Sequence, residues 1–279
     1  MARTKSRTRL SPVSHILAWA YGLLLVIPLY FLVISSFKDN TEIFSEPFAL
    51  PRSWLPDNFV AAWETAVLGP GLLNSALITG GAELVSILVA VPAAFAIARS
   101  TGVLSALTER FFAAGLLIPA FAALVPTMLL AIAVGLFQTR EFLVLFLAAS
   151  VMPLSVLLLT QFMRTIPPEL EESASMDGAG TGRILMSIYA PLTMPGIATV
   201  LILNFLTFWN EYLFTLSLLG PDVTLRTSQV ALPGLVSQGY TEYGILLAGC
   251  LITMVPVYLV YILLQRHVEG ALLQGAIKS

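Results

Sequence analysis

Charged and amide side chains are scarce in this sequence, so those that fall inside its apolar runs carry much of its chemical information. Glu83 lies near the middle of one run, and Trp209, Asn210 and Glu211 stand together near the middle of another. No Lys or Arg sits at comparable depth to neutralise the two acids. A carboxylate facing lipid costs at least ~2.5–3.5 kcal/mol at the bilayer centre. These groups must therefore face protein or a wet cavity, or be held protonated. Two roles fit. Carboxylates and amides hydrogen-bond hydroxyl groups and an aromatic face stacks on C–H groups, so the four residues could line a substrate path. Equally, they could hydrogen-bond between helices and hold a bundle together.

A second constellation occupies Ile166 to Pro195, the longest polar and Gly-rich interruption on its side of the chain. Pro168 can open a short helix, because its missing N–H would be an orphan there in any case. Glu169, Glu171 and Glu172 then fall in the first turn, where the helix dipole favours negative charge. Gly178, Gly180 and Gly182 end that helix and permit a sharp change of direction. A second short helix runs from Arg183 to Tyr189 until Pro191 disturbs it. Two short helices meeting at a glycine corner make a knob with a surface of small residues (Ser173, Ala174, Ser175, Ala179) and one acidic edge. Small side chains let another backbone approach, and a carboxylate offers a partner Arg or Lys a charge-assisted bond.

The glycine run is not a nucleotide cradle, because no strand precedes it and the spacing that follows is wrong. No G-x-x-x-x-G-K-[ST] phosphate loop, Ser/His/Asp set, H-E-x-x-H or metal cluster occurs anywhere in the sequence, which excludes the common hydrolytic sites. The single cysteine, Cys250, sits inside an apolar run and reads as an inert buried thiol. His15 and His267 flank apolar runs and read as membrane-edge residues.

The elements that position these groups are membrane spans. Of 279 residues 57% are apolar and 11% charged, against about 25% charged in soluble domains. The net charge of -2 says little about partners. Six runs are long enough to cross a bilayer, which takes roughly 20 apolar residues: about 13–37, 72–98, 111–135, 142–162, 196–219 and 244–264. The first follows Arg3, Lys5, Arg7 and Arg9, and is too long for a secretory signal core and lacks a good small-residue exit. Gly and Pro (Pro28, Pro92, Pro119, Pro126, Pro153, Pro256) interrupt the spans, as a bundle around a path tolerates. With the N-terminus inside, ten of the fourteen Lys and Arg lie on the inner side and four outside. That bias predicts that both termini and the Glu172 loop are cytoplasmic. Two loops, 38–71 and 220–243, lie outside. The first, bearing Trp54 and Trp63, reads as an ordered interfacial segment; the second has Pro221, Pro233, Gly234 and Gly239 between polar residues and reads as a connector.

The 166–195 segment resembles the cytoplasmic signature loop of ABC-importer permeases: E-A-A, three residues, G, nine residues, I-x-L-P. Here it reads Glu172-Ser173-Ala174, then Gly178, then Ile188-Tyr189-Ala190-Pro191, with Ser173 where Ala is usual and Ala190 where Leu is usual. The chain is similar over nearly its whole length to the maltose-type carbohydrate permeases, through this loop, the Trp209-Asn210-Glu211-Tyr212 patch and a tail like Gln265-Arg266…Gly270…Gly275-Ala276-Ile277-Lys278.

The resemblance implies an all-α membrane protein with the six-helix type I ABC importer permease fold. It would be a single transmembrane domain over 1–279, with a cytoplasmic N-terminus (1–12), coupling loop (164–195) and tail (265–279), in the cytoplasmic membrane. Glu172 would pair with a basic residue of an ATPase subunit, with Ser173, Ala174, Met176, Asp177, Gly178 and Ala179 around it. The chain itself would be no enzyme and hold no cofactor or metal; ATP and Mg would belong to two partner ATPase subunits. The other partners implied are a second, different permease, an extracytoplasmic substrate-binding protein and membrane lipid, with no nucleic acid. The substrate would be a carbohydrate, carried by alternating access. A different class, a proton-coupled transporter relaying protons through Glu83 and Glu211, predicts uptake by this chain alone.

Overall fold

In a computed structural model that describes residues 12–220, 222–237 and 239–276, the regular elements are all helical. Arg3, Lys5, Arg7, Arg9 and Lys278, which support the charge bias, lie outside the described residues. Helices α1 (Pro12–Ser35), α2 (Asn40–Ser45), α3 (Asp57–Thr65), α4 (Leu68–Arg99), α5 (Val103–Gly115), α6 (Leu124–Ala133) and α7 (Arg140–Arg164) form the first part of the chain. They are followed by α8 (Glu169–Met176), α9 (Thr181–Ile184), α10 (Ala190–Leu192), α11 (Met194–Trp209), α12 (Leu213–Leu219), α13 (Ser228–Ala231) and α14 (Tyr243–Ala276). Four stretches, Val13–Ser35, Leu68–Arg99, Arg140–Arg164 and Tyr243–Leu263, are each long and apolar enough to cross a membrane. Counting each of two bent pairs as one span brings the total among the described residues to six: Val103–Gly115 with Ala120–Ala133, bent by 95°, and Thr181–Leu192 with Met194–Trp209, bent by 75°.

The expected third and fifth spans are therefore broken rather than straight. The third stops at Gly115 and resumes through a 3₁₀ turn at Ala120–Ala123, because Pro119 cannot donate to a continuing helix. The 75° bend lies at Thr193, just before the expected fifth span; that span is itself interrupted at Asn210–Tyr212, between α11 and α12.

The packing divides the chain into two compact units. In the unit made by Met1–Ala66 and Gly234–Ile252, α1 is strongly apolar and, apart from half-buried Gly22, exposed from Val13 through Ile27, as suits a lipid-facing span. The segment after it is ordered, as its Trp and Pro content predicts. Asp39 caps α2 by accepting from the Glu42 N–H at 2.8 Å, and the buried Lys38 ammonium donates to the Glu46 carbonyl at 2.9 Å.

In the unit made by Val67–Pro233 and Thr253–Ser279, α4 packs along α7, and α11 packs on both. Glycine permits the close approach of α11: a Cβ on Gly196 would lie 2.6 Å from the Phe162 ring. One core cluster gathers Phe95, Leu159, Met163, Ile184 and Tyr189; another gathers Ile78, Leu143, Leu147, Phe208 and Leu218. A buried polar knot on α4, α7 and α11 joins Ser86, Ser155 and Asn204: the Asn204 amide nitrogen donates to Ser155 Oγ at 3.2 Å and Ser86 Oγ at 3.4 Å.

The loop after α12 is docked on α4. Asn74 donates to the Thr224 and Arg226 carbonyls at 2.9 and 3.0 Å, and the Ser228 N–H donates to Ser75 Oγ at 3.0 Å. Gly71 admits this backbone, since a Cβ there would meet Ser228 at 3.3 Å.

Candidate functional site

The acidic knob forms as its residue types dictate. Pro168 precedes α8, whose first turn carries Glu169, Glu171 and Glu172. Gly178, at φ +79°, closes it. The Ala179 N–H donates to the Ala174 carbonyl at 2.9 Å and the Gly178 N–H to the Ser175 carbonyl at 3.0 Å, the paired bonds of a Schellman ending. The second helix does not stop at Pro191. It widens to a π turn over Leu185–Tyr189 and continues to Leu192, since the wider turn absorbs the proline's missing donor.

Adjacent residues on a helix point about 100° apart, and here that separates two acids. Glu172, with Ser173, Met176, Asp177 and Gly178, is exposed, Met176 at 88%. Ala174 and Ala179, expected on the outer surface, are instead half-buried against the core cluster that holds Ile184 and Tyr189. Their small size seats the turn on its own bundle. Glu171 faces inward: its Oε2 accepts from Arg99 Nε at 2.5 Å and from the Tyr189 hydroxyl at 3.1 Å. The Arg99 guanidinium also lies 5.4 Å from the centre of the Tyr189 ring, within cation–π range. Nearby, Arg164 at the end of α7 makes a bidentate pair with Glu109 of α5 at 2.8 and 2.7 Å.

The four intramembrane residues do not form one site. Glu83 and Trp209 line a mostly apolar groove of about 490 Å³ with Leu73, Thr79, Phe205 and Pro256. Glu211 lines a different groove of about 410 Å³ with Ile118, Phe146, Ser150 and Phe214. Both Glu83 carboxylate oxygens are buried and have no hydrogen-bond partner among the described residues.

Trp209 offers no free aromatic face of the kind expected. It is 3% exposed, stacks on Phe205 with ring centres 5.5 Å apart, and its indole N–H donates to the Thr253 carbonyl at 3.1 Å. It ties α11 to α14.

The Asn210-Glu211 pair makes the break in the fifth span. Asn210, exposed, closes α11 by donating to the Leu206 carbonyl at 2.8 Å. Glu211 opens α12: its carboxylate accepts the N–H groups of Phe214 at 2.8 Å and Thr215 at 2.7 Å, and the Thr215 hydroxyl at 2.8 Å. These N–H groups are orphans of a helix start, and in a bilayer they have no water to turn to.

Residues 86–274 match the family model described as binding-protein-dependent transport system inner membrane component. The chain is 34% identical over 278 residues to the diacetylchitobiose uptake system permease protein NgcG of Streptomyces coelicolor, covering 99% of this chain and 92% of that protein. It is 32% identical over 279 residues to the melibiose/raffinose/stachyose import permease protein MelC of Bacillus subtilis, covering 100% and 99%. Among solved structures, a chain of a bacterial ABC transporter involved in the import of the acidic polysaccharide alginate superposes with a TM-score of 0.77 at 21% identity, over 92% of this chain and 98% of that one. A chain of the MetNI methionine ABC transporter superposes with a TM-score of 0.53 at 16% identity, over 73% and 95%. At these identities the two structures speak to fold alone.

Proposed function

The chain belongs to the inner-membrane components of binding-protein-dependent transport systems, as a permease subunit of an ABC importer for carbohydrate, and we propose that partner ATPase subunits drive it through the Glu172 turn. The observation that carries the coupling is the division of α8: Glu172 is exposed and without a side-chain partner among the described residues, while its neighbour Glu171 is tied to the bundle. An exposed carboxylate on a seated helix is a handle for a partner Arg, and a charge-assisted pair there transmits a pull as well as a push.

In this proposal the chain pairs with a second, different permease around a central path. Two ATPase subunits hold ATP and Mg and dock on the Glu172 turns, and an extracytoplasmic binding protein delivers the substrate. Both termini lie in the cytoplasm, and the membrane is the cytoplasmic one. Transport proceeds by alternating access. The relatives named for diacetylchitobiose and for melibiose, raffinose and stachyose support a di- or oligosaccharide as cargo. Within the chain, the groove holding Glu83 is the stretch of path, with Trp209 as its buried wall. The alternative, a proton relay from Glu83 to Glu211, gains nothing from the geometry, because the two residues line different grooves.

Glu172→Lys tests the coupling in the assembled importer. It is expected to abolish co-purification of the ATPase subunits and ATP-dependent uptake of the labelled disaccharide. Survival of both would refute the docking assignment.

A further inference from the structure

We propose that Arg99, Glu171 and Tyr189 form the joint that passes movement of the α8 turn into α4, with Glu171 as its positioning residue. This rests on the reading of the Glu172 turn as the ATPase socket and adds the route by which displacement there enters the bundle.

α8 has eight residues, about 12 Å at 1.5 Å per residue. A helix that short does not hold itself together in water, so its contacts decide whether it moves with the bundle or slips against it. Ala174 and Ala179 give it a smooth apolar seat, which resists separation and leaves sliding nearly free. Glu171 supplies direction. Its Oε2 accepts from two donors that come from different elements, Arg99 at the end of α4 and Tyr189 in the π turn. The Arg99 and Glu171 side chains are 21% and 27% exposed, so solvent screens the pair only in part.

Tyr189 completes the joint. It is fully buried, and its ring packs edge-on against Phe95, with centres 4.8 Å apart. Phe95 and Arg99 are four residues apart and lie on one face of α4. Tyr189 therefore grips two successive turns of α4 while its hydroxyl holds the carboxylate of α8. Three elements are locked together at one carboxylate oxygen. The neighbouring acid, Glu172, stays free for the partner, so one turn of α8 carries both the handle and the tie.

The test uses the complete importer with its ATPase subunits, in a Cys250→Ser background carrying Leu73→Cys. Leu73 is exposed, lines the Glu83 groove and lies on α4 beyond Pro92, so its labelling by a maleimide reports on the whole helix. ATP with vanadate is expected to change the labelling rate by about tenfold, equivalent to about 1.4 kcal/mol between two access states. Glu171→Ala, Arg99→Ala and the double variant should each retain the ATPase subunits on purification and reduce that change to about onefold. The double variant should lose no more than either single one, the signature of residues acting as a unit. A wild-type nucleotide response in Glu171→Ala overturns the joint, and so does loss of the ATPase subunits, which would make Glu171 part of the socket. Failure of the docking assignment itself is read separately, as an unchanged complex in Glu172→Lys.

Discussion

Replacing Glu211 by Ala should melt the start of α12. The carboxylate is the acceptor for the Phe214 and Thr215 N–H groups at 2.8 and 2.7 Å. Alanine leaves both donors unmade, while the Thr215 hydroxyl retains the Glu211 backbone carbonyl at 3.5 Å. Each unmade donor away from water costs about 1–3 kcal/mol, so the pair costs about 2–6 kcal/mol before relaxation. With only seven residues, α12 cannot make good that loss from its own hydrogen bonds. Glu211→Gln keeps one acceptor oxygen and should lose about half as much. Hydrogen exchange over residues 213–219 is the direct assay. At about 1.4 kcal/mol per factor of ten, even the low end of that range should make Phe214 and Thr215 exchange about 30-fold faster in the Ala variant, and about fivefold faster in the Gln variant. Native exchange in the Ala variant, together with weakened sugar affinity, would assign the carboxylate to the solute and refute the capping role.

Two further outcomes test the packing. Gly196→Ala should destabilise the protein by about 1–3 kcal/mol, the range for overpacking, because the new Cβ would lie 2.6 Å from the root of the Phe162 ring; an unchanged thermal midpoint would refute that close approach. Asn204→Leu removes the amide that joins Ser86 and Ser155. Its cost, read from the unfolding midpoint in detergent, should stay near the ~0.6–1.7 kcal/mol seen for interhelical hydrogen bonds in membranes, because Ser86 keeps its bond to the Glu83 carbonyl at 2.9 Å.

The knob was legible because Pro168, the first-turn glutamates and Gly178 each constrain the backbone locally, and their order spells one short helix and its end. What those residues touch was not legible. Ala174 and Ala179 suit a docking surface and a tight internal seat equally well, and the contact with Ile184 and Tyr189 decided for the seat. Arg99 and Glu171 are separated by 72 positions, and nothing local to either announces the other. The broken fifth span was hidden by its own hydropathy, since the run from 196 to 219 reads as one crossing. Its signal was the adjacency of Asn210 and Glu211, an amide that can close one helix and an acid that can open the next. Asn204 went unnoticed for a related reason: a single amide in an apolar run has no periodicity to betray it.

The distribution of polar contacts fixes where this permease can bend. At one end, ion pairs bind α4 to the α8 turn and α7 to α5. In the middle, the Asn204 knot holds α4, α7 and α11. At the other end, Asn74 and Ser75 of α4 hold the loop that follows α12. The two broken spans interrupt their backbone ladders between these fixed points, after Gly115 and at Asn210–Tyr212. Their far segments, α6 and α12, pack on one another, and the Gln138 N–H donates to the Leu218 carbonyl at 3.0 Å. A movement that keeps the α4–α7 interface intact and pivots at the breaks disturbs a few terminal hydrogen bonds, whereas sliding α4 along α7 would disrupt the buried core between them. Interfaces packed at crystal density shift between discrete arrangements rather than deform. Access to the Glu83 groove should therefore change by rotation of the α4–α7 pair as one body, with Glu211 keeping α12 wound at the pivot.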